Sequence, residues 1–173
     1  PKGVGLLVVP RRIDLEPVIH GGGQELGRRS GTHNVAAIVG MVAAMEATVR
    51  ERKATRARID RIRTAFEATL RNRVPDLRIN GDTERRLVQH SHIGIPGIAA
   101  ETLLIRLDQA GIAAAAGSAC HSGAVEVSHV LAAMGKNPEE AAESVRFSFG
   151  WSSAPDDGVV AAAGVAAVAG ELR

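Results

Sequence analysis

The sequence predicts an α/β fold whose C-terminal part is a small α+β lobe. Three observations support this prediction: β-rich runs alternate with helical patterns, one long helical pattern covers residues 35–72, and short strands and helices alternate after it. The core must be built from aliphatic side chains, because the 173 residues include three Phe, one Trp and no Tyr. We expect residues 1–33 to finish one lobe, residues 34–72 to link, and residues 73–173 to form a second lobe.

The elements of the first half follow from local patterns. Residues 4–9 (VGLLVV) are a β-rich run that predicts a buried strand. From residue 35, apolar side chains recur at spacings of three and four, which predicts the long helix. The basic residues that lie among these apolar positions, from Arg50 to Arg63, are typical of a solvated helix face. A Pro-Asp pair at 75–76 ends the helix.

The second lobe is predicted to contain strands at 77–80, 88–95, 112–116 and 145–150. It is also predicted to contain helices at 100–110 and 128–134, a helix that begins at residue 138, and a final helix that ends at residue 173. Residues 137–140 (NPEE) are a strong helix start, with Asn as N-cap, Pro at the first position and Glu at the third. His90 and His92 share one face of their strand, but no third ligand has suitable spacing, so ordinary strand-face residues are favoured over a metal site.

Cys120 is the only cysteine, and it lies in a run of small residues, 116–123 (AGSACHSG). A lone cysteine is often a small buried hydrophobe. Here the small, polar neighbours indicate an exposed loop after a predicted strand, which favours an accessible thiol. A single cysteine excludes an internal disulfide framework and fits a reducing compartment.

Two segments are candidates for binding anions. Residues 29–32 (RSGT) follow three glycines and precede the long helix; they offer a guanidinium, hydroxyls and free N–H groups to a phosphate. A glycine-rich turn followed by an N-cap explains that pattern equally well. Arg146 lies on a predicted strand and faces away from Val145 and Phe147, so it is held as a carboxylate site requires. A solvated arginine on an edge strand is the alternative.

Composition limits the partners. A net charge of +2 and the shortage of aromatic side chains argue against nucleic-acid binding. No apolar run has membrane-spanning length and no signal peptide is recognisable, so we expect a cytoplasmic protein. The chain begins at Pro1 without an initiator methionine and enters a predicted strand at once, so we expect it to be a piece of something longer.

Four motifs occur in the order and approximate spacing of the cysteine desulfurases: HGGGQE at 20–25, RSGT at 29–32, GSAC at 117–120, and VRFS at 145–148 followed by Gly150. These enzymes use pyridoxal 5′-phosphate and belong to the class V aminotransferases of fold type I. The chain resembles their C-terminal half. The resemblance implies that residues 1–33 end the large cofactor-binding domain and that residues 73–173 form the small domain with the catalytic cysteine loop.

The resemblance also implies roles for individual residues. Cys120 resembles the nucleophile that takes sulfur from L-cysteine as a persulfide and leaves L-alanine. Arg146 resembles the arginine that holds the substrate carboxylate. Thr32 resembles the threonine that reaches the cofactor phosphate across the interface of a homodimer, and Arg29 lies nearby. The loop after Cys120 resembles that of desulfurases that pass sulfur to an acceptor protein in iron–sulfur cluster assembly or in tRNA or DNA thiolation.

The sequence also departs from the family pattern. The family's Schiff-base lysine lies just upstream of Pro1, and Lys2 matches a second lysine, so we expect the chain to be inactive by itself. Gln89 and His92 stand where relatives often have Asn. Two alternatives stay open: a selenocysteine lyase, which shares the scaffold, and a cofactor-free sulfur carrier.

Overall fold

The computed structural model describes residues 2–116 and 128–173 of the chain. The residues form two compact units, Pro1–Arg52 and Lys53–Arg173. Helix α1, Val35–Arg73, supplies residues to both units. None of the helices in the described residues is long and apolar enough to cross a membrane.

The strand expected at residues 4–9 is absent, and that prediction was wrong. Residues 4–9 have no regular secondary structure, and Leu6, Leu7 and Val8 are 63%, 75% and 83% exposed. A strand exists only where a neighbouring segment accepts and donates its backbone hydrogen bonds. No segment among the described residues pairs with this run, so its β propensity has no sheet to join.

Helix α1 confirms the long helical prediction as one uninterrupted helix of 39 residues. Asn34 begins it, because its side chain accepts a hydrogen bond from the Ala37 N–H at 3.1 Å. In the second unit the apolar spacing places Ile62, Phe66 and Leu70 in the core, each at most 1% exposed. The helix therefore forms one wall of the second unit.

The expectation that all basic residues of α1 lie on a solvated face was wrong for two of them. Arg63 is only 8% exposed, and it binds Glu67 and the carbonyl of Val88. Arg58 is half-buried and donates to the backbone carbonyls of Trp151 and Ser153. Both arginines pack long aliphatic stems against the unit while their guanidinium groups find partners.

A three-stranded antiparallel sheet with the order β1-β2-β3 is the centre of the second unit. The strands are β1, Arg78–Ile79, β2, His90–Gly94, and β3, Ser144–Ser148. Alternation sends Ile93, Val145 and Phe147 into the core. There the ring of Phe66 lies 4.8 Å from Phe147 and 5.5 Å from Phe149, centroid to centroid.

Residues 112–116 do not form the predicted strand. A single bridge joins Ala115 to Arg146, with N···O distances of 2.7 and 3.0 Å in the two directions. One bridged residue fixes where the segment lies but not a full ladder. The sequence prediction overestimated its pairing because β propensity says nothing about how many partners are in reach.

The described part of the second unit also contains four further helices: α2, Ala100–Gln109, α3, His129–Ala133, α4, Pro138–Ala142, and α5, Asp157–Glu171. The start predicted at Asn137 is confirmed as a capping box, in which Asn137 and Glu140 bond each other's backbone N–H groups. Leu103 and Leu107 of α2 are fully buried. Helix α5 packs its small residues close to α1 and α2.

Candidate functional site

Arg146 lies on the sheet face opposite the core. Its neighbours on β3, Val145 and Phe147, are buried, while Arg146 itself is exposed, as the alternation predicted. Its backbone N–H donates to the Ala115 carbonyl, and its carbonyl accepts from the Ala115 N–H. The arginine is thus fixed between β2 on one side and residue 115 on the other, with its side chain directed away from the core.

Residues 112–116 reach the site just before the cysteine motif. Ala115 is held beside Arg146, and Cys120 follows it by five residues in the chain. Cys120 itself lies in residues 117–127, outside the described residues.

Two histidines share the outer face with Arg146. His92 lies directly opposite Arg146, and His90 lies opposite Ser148. The His90 Nδ1 is 2.9 Å from the Ser148 Oγ. The sequence analysis placed both histidines on one strand face but did not connect them with Arg146, because the register between β2 and β3 is not readable from local patterns.

Burial and the charge of Arg146 both favour the neutral form of the two rings. The pKa of His92 is lowered below its usual value, chiefly by burial and further by the positive charge of Arg146. The pKa of His90 is lowered by the same two causes in the same order. A face with one fixed cation and two neutral imidazoles suits an anionic ligand, because the cation attracts it and the rings add hydrogen-bond donors.

A chain of buried polar groups supports this face from β1 and β3. Asn80 is 7% exposed, and its Nδ2 lies 3.0 Å from His92 Nδ1 and 2.9 Å from Ser144 Oγ. Ser144 in turn donates to the carbonyl of Glu140 at 2.6 Å. Sequence analysis missed these residues; the only available signal was that Asn80 precedes a Gly-Asp turn.

The predicted phosphate segment lies in the first unit. The Ser30 hydroxyl is buried and donates to the Gly22 carbonyl at 2.6 Å, so it holds the glycine loop together and is engaged there. Gly31 adopts φ +109°, a left-handed conformation that favours glycine. Thr32 and Arg29 are both exposed, and an Arg29 N–H donates to the Ser30 carbonyl at 3.1 Å.

These residues fit a phosphate group. An exposed hydroxyl and an exposed guanidinium three residues apart offer the donors that phosphate oxygens accept. The buried Ser30 anchors the turn between them, so the two side chains leave a fixed backbone. As for metals, residues 2–116 and 128–173 bring together no group of three or more His, Cys, Asp or Glu side chains.

Comparison of the sequence with models of protein families shows which family the chain belongs to. The sequence profile described as aminotransferase class-V matches residues 1–157. The chain belongs to this family. Members of the class V family depend on pyridoxal 5′-phosphate, which agrees with the exposed donors at Thr32 and Arg29.

Among curated members of the class V family, the chain is similar to proteins named cysteine desulfurase. A cysteine desulfurase of Trichormus azollae is 43% identical over 148 residues, which are 86% of this chain and 37% of the relative. A putative cysteine desulfurase, IscS 1, of Bacillus subtilis (strain 168) is 38% identical over 173 residues, 99% of this chain and 46% of the relative. The chain therefore spans less than half the length of these relatives.

A solved structure of a similar protein has a similar fold over most of this chain. The NifS-like protein from Rickettsia africae ESF-5 matches with a TM-score of 0.73 and 29% identity, over 92% of this chain and 40% of that chain. The predicted fold, a part of the pyridoxal-phosphate-dependent transferase fold of type I, is confirmed. The resemblance to cysteine desulfurases is confirmed as well.

Proposed function

We propose that this chain is the C-terminal half of a cysteine desulfurase and carries its sulfur-accepting cysteine. The observation that supports it best is the bridge between Ala115 and Arg146, which fixes the backbone of the proposed carboxylate-binding residue close in sequence to the cysteine motif. The identity of 38–43% to proteins named cysteine desulfurase supports the same assignment. In this proposal residues 1–33 end the large cofactor domain, residues 34–72 link, and residues 73–173 form the small domain.

The proposed reaction converts L-cysteine to L-alanine. The Cys120 thiolate attacks the sulfur of bound L-cysteine, the substrate C–S bond breaks, and an S–S bond forms, so that Cys120 carries a persulfide. The proton that the thiol gives up is balanced by the proton that completes the alanine methyl group. Pyridoxal phosphate, when bound, supplies the electron sink that makes the C–S bond breakable.

The residues of the chain bind and orient in this scheme. Arg146 binds the α-carboxylate of the substrate in a bidentate ion pair, which fixes the sulfur relative to Cys120. Thr32 and Arg29 donate hydrogen bonds to the cofactor phosphate of the partner subunit in a homodimer. The persulfide then passes to an acceptor protein for iron–sulfur cluster assembly, or for tRNA or DNA thiolation, in the cytoplasm.

A mixing experiment tests this assignment. The chain alone, given pyridoxal phosphate and reduced with borohydride, is expected to form no specific lysine adduct and to leave L-cysteine unchanged. Joined to the preceding half of a desulfurase, it is expected to bind the cofactor and release L-alanine. Labelled sulfur should then be found on Cys120 in a peptide map, and Cys120→Ser should abolish the label while cofactor binding persists.

Three outcomes contradict the proposal. A stoichiometric adduct on Lys2, Lys53 or Lys136 of the chain alone places the cofactor lysine within this chain. Turnover of selenocysteine with none of cysteine assigns a selenocysteine lyase. Labelled sulfur that reaches Cys120 only from a separate desulfurase assigns a cofactor-free sulfur carrier.

A further inference from the structure

His92 and Arg146 are closer than a shared sheet face alone requires. In an antiparallel ladder, the N–H and C=O of one residue point to the same side. Arg146 directs both of its groups to Ala115, and the His92 carbonyl accepts from the Asn80 N–H on the other side. His92 and Arg146 are therefore a non-hydrogen-bonded cross-strand pair, the type in which opposed side chains approach most closely.

The polar chain behind His92 sets which ring nitrogen carries the proton. The Ser144 hydroxyl uses its only hydrogen on the Glu140 carbonyl, so its oxygen must accept from Asn80. This orients the Asn80 amide with its NH₂ group towards Ser144, and the second N–H then points at His92 Nδ1. Nδ1 is thus an acceptor, and the neutral ring carries its hydrogen on Nε2.

Within the described residues, the Nε2–H has no hydrogen-bond partner and is open to a ligand. Among residues 2–116 and 128–173, the structure gives His92 one side-chain hydrogen bond, the one between Nδ1 and Asn80. The ring is half-buried, so its orientation is held by packing as well as by Asn80. The result is a preorganised neutral donor on the residue directly across the strands from the exposed Arg146, with Asn80 and Ser144 as the supporting groups.

We propose that His92 is a second carboxylate-binding residue of the site, donating its Nε2–H to the same substrate carboxylate that Arg146 binds. This inference rests on the proposed function, because the carboxylate is that of L-cysteine. A guanidinium alone permits a carboxylate to bind in several orientations. A second donor at a fixed angle selects one of them and so orients the sulfur of the substrate.

Two substitutions separate binding from support. Glutamine can place its amide nitrogen where His Nε2 lies. The shorter asparagine amide reaches only the place of Nδ1, where its oxygen can accept from Asn80. In the complete, cofactor-loaded polypeptide that carries this chain, His92→Gln should hold KM for L-cysteine within about threefold. His92→Asn should raise KM roughly tenfold with little change in kcat, the loss expected for one hydrogen bond to a charged group.

If His92 only supports Asn80 and binds no carboxylate, His92→Gln should be the more damaging of the two substitutions. If Asn80 needs His92 only as an acceptor, His92→Asn keeps KM and His92→Gln loses thermal stability. Equal KM values for both variants and the wild type also overturn the proposal. Melting temperatures of the two variants, measured without substrate, identify any general loss of folding before KM is compared.

Nitrogen NMR of histidine-labelled protein gives a readout that needs no turnover. The His92 signals should show the Nε2–H tautomer, and Asn80→Ala should release that preference. L-alanine, the carboxylate probe, should shift the Nε2 signal, whereas L-alaninamide should leave it in place. A shift without cysteine turnover retains the inference while refuting the proposed function, and turnover without any shift refutes the inference alone.

Discussion

Gly158, in the first turn of helix α5, packs directly against the main-chain carbonyl of Ile62 in helix α1. A Cβ placed on Gly158 lies well inside van der Waals contact with that oxygen, which belongs to the backbone and cannot rotate away. The absence of a side chain is therefore what allows the two helices to approach this closely. Because α1 also presents Phe66 to the sheet, α5 here packs closely against the helix that covers the sheet.

Gly158→Ala is expected to destabilise the protein. The two helices must separate to admit one methyl group, which costs about 1–3 kcal/mol of unfolding free energy. Gly170→Ala is the matched control in the same helix, because nothing lies within 4 Å of its Cβ position. That control should leave stability unchanged or raise it by up to about 1 kcal/mol. Urea unfolding measures both; equal stabilities for the two variants contradict the prediction.

Glu67→Gln is expected to cost about 3 kcal/mol or more. The Glu67 carboxylate is 7% exposed and accepts two hydrogen bonds at 2.7 Å from Arg86, one at 3.2 Å from Arg63 and one at 2.8 Å from Ser91. Neutralising it leaves the poorly solvated Arg86 without an acidic partner among the described residues, and leaves Arg63 with Asp60 as its only one.

An exposed glutamate on the same helix gives the control for Glu67. Glu51 pairs with Arg50 at 3.4 Å, and both side chains are more than 60% exposed. Glu51→Gln should change unfolding free energy by less than about 1 kcal/mol. If the two glutamine variants unfold at the same urea concentration, the buried network contributes no more than a surface pair.

Where an element depends on local signals, sequence analysis predicted it. Helix α1 begins at Asn34 and α4 at Asn137 because a capping side chain and the apolar spacing after it lie within a few residues of each other. The orientation of Arg146 also follows from alternation along one strand. Its role, with those of Cys120, Thr32 and Arg29, stays a prediction.

Where an element depends on distant partners, sequence analysis failed. Residues 4–9 and 112–116 have strand-like composition, but a strand needs a pairing segment, and pairing is a property of the fold. Arg63 was expected in solvent because its neighbours are basic; its burial depends on Glu67 and on Val88, 25 residues away. The link from Asn80 to His92 and Arg146 likewise requires the register of three strands.

Stability is expected to fall as the pH is lowered below about 6.5. His92 and His90 have pKa values lowered by burial and by Arg146, so the unfolded chain binds their protons first. Their contribution is fully present above the unfolded pKa of about 6.5 and is lost as the pH falls towards the folded value. His92→Gln should flatten this part of the stability curve.

A separate pH range belongs to the carboxylates. The backbone N–H of Arg85 donates to Asp82, and this hydrogen bond is the main reason that the pKa of Asp82 is lowered. The pKa of Glu140 is lowered mainly by its hydrogen bond with the backbone N–H of Asn137. Their contribution is present above the unfolded pKa and is lost below about pH 4.5. Urea midpoints at several pH values resolve the two ranges. A His92→Gln curve that parallels the wild type between pH 7 and 5 would contradict the histidine assignment.

Arg146→Lys is expected to weaken L-cysteine binding without loss of stability. Lysine keeps the charge but loses the planar pair of donors that binds a carboxylate in bidentate fashion, so KM should rise roughly 10- to 100-fold. The side chain is exposed, and its strand contacts are made by the backbone, so the melting temperature should stay within a few degrees.

The matched control for Arg146 is Arg106→Lys, which alters an exposed arginine of α2 that pairs with Glu171. It should leave KM unchanged, because this residue lies on the surface and its partner is in α5. Steady-state kinetics of alanine release from the complete, cofactor-loaded enzyme compare the two variants. Equal KM values would remove Arg146 from the carboxylate site, and with it the reason that His92 faces a ligand there.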